Sequence, residues 1–203
     1  LSGLYSVNAR KGGNVSPIPA DHSQNLTGIW PKKVVNYKTV MSDAASGFTS
    51  VTYPFPVIRM ADLYLMYAEA LNEKGEDYAT VLPWIDMVRE RSGLQGVKES
   101  WDQYVGNSKY ATQTGLRQII MQERRIELAF EGHYFWDVRR WKTATTELTQ
   151  PLTGWKVRYG ETDVDYYSEN LVLVRDFTPK MYFWPIDIGE LRKDPNLVQN
   201  YGW

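Results

Sequence analysis

Cysteine is absent from the 203 residues, which excludes disulfides, thiolate metal sites and a cysteine nucleophile. Histidine is nearly absent: His22 and His133 are too few to build a histidine-ligated metal site, so no metal and no cofactor is expected. Net charge is missing too, with 23 basic against 24 acidic side chains. Such a chain has no positive field to gather nucleic acid and no acidic tail. No run of about 18 apolar residues exists, and Leu1 onward has neither the basic start nor the apolar stretch of a signal peptide. Leu1 does not look like a natural start, so a portion of something longer is expected.

What is present is a globular composition, 43% hydrophobic and 23% charged, sufficient for a core. It comes with an unusual 14% of aromatic residues. Trp and Tyr join a flat apolar face to a polar handle and serve cores and binding surfaces alike.

Residues 1–56 are rich in Gly, Ser, Asn and Pro and read as loop with a short strand in "IWPKKVVNYKTV". Apolar positions then recur at helical spacing. Ile58, Leu63, Met66, Tyr67, Ala70 and Leu71 predict a helix over about 57–74, ended by Gly75. Val81, Trp84, Ile85 and Val88 predict a second, with Thr80 as N-cap, Pro83 in the first turn and an end at Gly93. The short link makes the pair, 57–91, an antiparallel hairpin, close to the 34-residue tetratricopeptide unit. A polar loop over 94–111 separates it from a second hairpin over 114–144, one helix running from Thr114 to Phe130, a break at Gly132, and a shorter helix after it. From 145 to 203 an irregular tail with short extended pieces, "NLVLVRDF" and "MYFWPID", is expected to wrap a surface. The fold class is therefore mainly α: tetratricopeptide-like helical hairpins with long irregular loops and a few short strands, in one domain.

"ERRIELAFEGHYFWDVRRW" at 123–141 holds eight charged residues. On a helix, Glu123, Glu127 and Glu131 fall four apart on one face, about 5–6 Å between neighbouring Cβ atoms, and two carboxyls about 5–5.5 Å apart is also the spacing of a retaining glycosidase. Arg124, Arg125, Arg139 and Arg140 beside them would hold the carboxylates ionised and remove the raised-pKa acid that such chemistry needs. A helix-to-helix corner locked by ion pairs is the expectation, with arginine planes covering Phe135, Trp136 and Trp141.

"VIRMADLYLMYAEALNE", "VRERSGL", "ERRIELAFEGHYFWDVRRWK" and "WPIDIGELRKDPNLVQNYGW", in that order and preceded by "TGIWPKK", resemble the C-terminal domain of the SusD/RagB family over about residues 25–203. The chain departs from the family pattern at Ile29-Trp30, Tyr134, Asp187 and Tyr201. The resemblance implies a scaffold role for the matching positions Arg59, Asp62, Glu69, Glu123, Arg124, Arg125, Glu127, Gly132, Trp136, Asp137, Arg140, Trp141, Asn196, Gln199 and Asn200. It implies no catalytic residue and no enzyme. It further implies a lipid-anchored protein on the outer face of the outer membrane of Bacteroidetes. There the protein would capture an oligosaccharide or other nutrient for a SusC-like TonB-dependent transporter. Members are longer, so a further partner would be the remainder of the protein's own chain N-terminal to residue 1.

In that family, ligand contacts come from variable loops. Sugar C–H faces lie on aromatic rings, while hydroxyls need partners when dehydrated. The loop aromatics here are Trp30, Tyr37, Trp101, Tyr104, Tyr110, Trp155, Tyr159, Tyr166 and Tyr167. Trp101 and Trp155, with polar or glycine neighbours, lead the candidates; Tyr104, Tyr110, Trp30 and Tyr37 follow. The rival reading is a helical-repeat adaptor that binds a protein or peptide.

Overall fold

Pro54 and Pro56 bias the residues before them away from the helical region. Helix α1 starts only at Met60, three residues later than the apolar spacing suggested, and runs to Lys74 behind an extended Arg59. It ends on Gly75 at φ +89, whose N–H donates to the Asn72 carbonyl while Glu76 N–H donates to that of Leu71. These are the paired bonds of a Schellman ending, and the left-handed position is one that glycine adopts at no steric cost.

The computed structural model describes residues 31, 33, 36, 38–41, 48–156 and 162–203. Mainly helical, they carry eight α-helices and two separate two-stranded ribbons. The chain forms two compact units, one of residues 52–137 and the other of 1–51 with 138–203.

In the first unit α2, Tyr78–Arg91, folds back on α1. Asp77, not Thr80, caps it, accepting from Ala79 N–H at 2.7 Å. Pro83 consequently falls inside the helix beyond the first turn, where it forfeits one backbone bond. Leu65, Ala68, Val81, Ile85 and Val88 meet between the two helices, and Leu116, Ile119 and Ile120 of α4, Gln113–Glu127, close the core. The stretch from 94 to 111, expected as plain loop, contains α3 at Val97–Ser100, a single π-helical turn at Trp101–Val105 and a 3-10 turn at Lys109–Ala111. Thr112 caps α4 through Gly115 N–H, so that helix starts before Thr114 and ends before Phe130. Phe130 and Gly132 take positive φ in the turn that leads to α5, His133–Arg140.

In the second unit, β1 (Val40–Met41) pairs antiparallel with β2 (Phe48–Thr49), and β3 (Leu152–Trp155) with β4 (Glu169–Leu173). Short helices α6 (Ala144–Glu147), α7 (Asp163–Tyr166) and α8 (Ile188–Lys193) fill out the tail. "MYFWPID" is not a strand; it leaves a 3-10 turn at Pro179–Tyr182 and continues irregularly. Gln199 pins it by accepting from Ile186 N–H and donating to the Ile186 carbonyl, while Asn200 donates to the Trp184 carbonyl. Asn196 closes its own turn on Asp194. No helix among the described residues is long and apolar enough to cross a membrane.

Candidate functional site

The charged corner is built around Arg124, 3% exposed, which donates to Asp62 at 2.9 Å and through two nitrogens to Asp137, with Glu69 at 4.0 Å. One guanidinium thus ties α1, α4 and α5. Such a buried cation is satisfied only because its donors all point at carboxylates. Around it Glu123 pairs with Arg89, Glu127 with Arg59 and Arg91, and Glu131 with Arg59. Arg59 is held further above its ordinary value, first by its bonds to Glu131 and then, against the opposing effect of burial, by those to Glu127. Both carboxylates of the glycosidase reading therefore accept from guanidinium groups, as the ion-paired corner expected from the sequence requires. Arg140 lies over Trp141 and Arg125 over Tyr134, while Trp136 meets Phe135 edge to face.

The aromatic candidates divide by unit. In the first unit, Trp101 is half-buried against the core, and its ring carries the Lys109 ammonium at 5.4 Å. Tyr104, in the same π-helical turn, is 73% exposed. Tyr110 is a core residue, 5% exposed, edge to face with Tyr78 and hydrogen-bonded through its hydroxyl to Asp102, and offers no ring face for stacking. Lys98 also donates to Asp102; these two donors, Lys98 first, hold the Asp102 carboxyl below its usual range.

In the second unit, Trp155 at the end of β3 meets Tyr166 at 6.0 Å and Tyr167 at 5.2 Å, and the two tyrosines meet each other edge to face. Tyr166 is 5% exposed and anchors the group; Trp155, 38% exposed, and Tyr167, 57% exposed, present its surface. Thr162 caps α7 through Asp165 N–H, and Lys156 N–H donates to the Tyr166 carbonyl, so the turn that carries both tyrosines is bonded to the strand that carries Trp155. The Lys156 ammonium pairs with Asp165 at 2.9 Å. The cluster thus sets apolar ring surface beside two polar side chains. Trp30, Tyr37 and Tyr159 lie outside the described residues.

Tyr166 and Tyr167 stand among the loop aromatics without a sequence feature that singles them out, and Lys109 is not among the candidates read from the sequence. A signal for Lys109 existed: no acidic residue stands three or four positions away on either side.

No group of three or more His, Asp or Glu that could hold a metal occurs among the described residues. The sequence model of the SusD family matches residues 9–203. The chain belongs to the SusD family. "SusD-like protein P2" of Formosa agariphila is 37% identical over 140 residues, covering 68% of this chain and 27% of the relative. "SusD-like protein P25" of the same organism is 39% identical over 144 residues, 71% of this chain and 23% of the relative. A SusD-like protein from Bacteroides fragilis, solved by crystallography, superposes with a TM-score of 0.60 at 30% identity, over 76% of this chain and 28% of that one. The chain thus spans about a quarter of the length of the SusD-like relatives it matches.

Proposed function

We propose that this chain is part of a non-enzymatic, lipid-anchored protein on the outer face of the outer membrane, which captures a glycan and passes it to a SusC-like TonB-dependent transporter. Membership of the SusD family supports the setting, and the Trp155–Tyr166–Tyr167 cluster supports the chemistry. Two partly exposed rings braced by a buried third lose little side-chain freedom when a sugar stacks on them, and Lys156 and Asp165 stand beside them for its hydroxyls. The pairing of Glu123 and Glu127 with Arg89, Arg59 and Arg91 supports a structural role for these carboxylates over a catalytic one.

A titration of the protein with neutral oligosaccharides of plant, host and microbial origin, read by tryptophan emission and calorimetry, tests this. Saturable binding to one class is expected, weakened about tenfold or more in Trp155→Ala, the effect of removing an aromatic anchor. Binding unchanged in that variant would remove the cluster from the site, and silence across the panel would remove glycan capture.

One observation favours the adaptor reading. Met60, Leu63 and Tyr67 form an exposed stripe along α1, continued by Val57 and Ile58, and such a face fits a protein neighbour, whether a peptide or the protein's own chain N-terminal to residue 1. Peptide binding without any glycan response would decide for it.

A further inference from the structure

Three basic side chains surround the turn that carries Trp101, and two are committed. Lys98 donates to Asp102. Arg89 donates to Glu123, the Ser100 hydroxyl and the Gln95 carbonyl. Lys109 differs: its ammonium lies over the Trp101 ring and meets no carboxylate among the described residues. A ring face attracts the cation but does not replace an anionic acceptor for its N–H groups.

The position of Lys109 is built. Its backbone N–H donates to the Asn107 side chain at 3.1 Å, and its carbonyl accepts from the Thr112 hydroxyl at 3.2 Å. The same carbonyl sits where a side chain at residue 115 would begin: a Cβ there would fall 2.0 Å from it and 2.8 Å from Lys109 Cγ. Gly115 therefore lets the 3-10 turn close down on the start of α4 and set where the lysine leaves the backbone. A cation fixed in this way gives up less side-chain entropy on binding than a solvated surface lysine does. Tyr104, in the turn that also carries Trp101, adds an exposed ring.

We propose that Trp101, Lys109 and Tyr104 form a subsite for an acidic sugar, whose carboxylate or sulfate takes the Lys109 ammonium while its ring lies against Tyr104. The proposal rests on the glycan-capture reading and deepens it. A neutral sugar would offer this cation only a hydroxyl. An anionic oxygen gives a charge-assisted bond about twice as strong as a neutral one. The ribbon surface shows the contrast, because there Lys156 is already neutralised by Asp165.

Calorimetry on the protein with four probes tests it: oligogalacturonate, its methyl ester, a sulfated galactan oligosaccharide and its desulfated form. Tighter binding of one acidic probe than of its neutral counterpart is expected, fading at about 0.5 M salt as screening demands; the probe that responds names the anion. Lys109→Gln is expected to weaken that acidic probe about tenfold and its neutral counterpart far less, so that the preference between them disappears. Lys109→Arg keeps the preference, and Tyr104→Ala, at an exposed position, weakens the probe without lowering the melting temperature. Acidic probes that bind no better than neutral ones, or a Lys109→Gln variant that binds them like the parent, overturn the subsite. Neutral binding still sensitive to Trp155→Ala would then leave glycan capture standing, whereas no binding of any probe defeats both.

Discussion

The two aromatic surfaces are mounted in opposite ways. The turn at Trp101–Val105 is fixed from below: Tyr110 sits in the core and holds Asp102, Asp86 accepts from Val97 N–H at the start of α3, and Gly115 admits the backbone of Lys109. The β3–β4 ribbon is braced by its own rings, with Tyr166 as the buried member. A two-stranded ribbon is marginal by itself in water, so its aromatics hold the turn together and, in the role proposed for them, would meet the ligand as well. At Trp101 the bracing falls to other residues, and the exposed Tyr104 and the unneutralised Lys109 are available for the proposed subsite. A surface mounted on a core can keep a cation without a carboxylate beside it; the ribbon instead pairs Lys156 with Asp165 within its own short span.

The largest expected effect comes from unsettling the helical core on which the first surface is mounted. Arg124→Ala leaves Asp62 and Asp137 buried without their cation, and breaking a buried pair in this way costs about 3–5 kcal/mol. Urea unfolding followed by circular dichroism measures it. A loss below about 1 kcal/mol would mean that water replaces the guanidinium and that apolar packing alone holds α1 to α4.

A smaller and more local effect tests the fit of Lys109. In Gly115→Ala the added methyl meets backbone as well as the lysine stem, so the turn must move, at the roughly 1–3 kcal/mol typical of overpacking. The acidic-probe affinity should fall with it, while the response of Trp155 to neutral glycans is retained. An alanine variant that is as stable and as selective as the parent would show that the turn has room to relax and that Lys109 is not held in place.

How much of this the sequence disclosed follows from the range of the forces involved. α1 and α2 were legible because a long apolar stripe repeats at 3.6 residues, and the ion-paired corner because its charges crowd one stretch. The N-cap at Asp77 escapes the sequence pattern because the first core residue of α2, Val81, draws the start toward Thr80. The piece at 94–111 reads as loop because a π-helical turn and a 3-10 turn follow no apolar period. α8, six residues between Asp187 and Asp194, is too short to show one. Tyr110 looked like a loop aromatic because its neighbours are polar, and only its contact with Tyr78, 32 positions away, takes it into the core. Trp155 and Tyr167 are 12 apart in sequence and meet only because the strands pair. Which face of Trp101 is covered by a lysine is likewise a tertiary fact.

The smallest expected effect concerns Asp86, which ties α2 to the first surface. Burial pushes its carboxyl above the usual range, against the Val97 N–H that pulls it down. A folded pKa above the unfolded one means that the folded chain binds the proton more tightly. This contribution is present in full below the unfolded pKa, about 3.9, and is lost as pH rises through the folded value. Asn in its place still accepts from Val97 and carries no charge to desolvate. Asp86→Asn should therefore match or exceed the parent at pH 7, by no more than about 1 kcal/mol because the site is only half-buried and solvent screens it. The difference should shrink toward pH 3. Unfolding midpoints at pH 3, 5 and 7 would show the trend. A variant less stable at pH 7 would mean that the ionised carboxylate is what holds Val97, and that the Trp101 surface depends on charge at its base as well as at its rim.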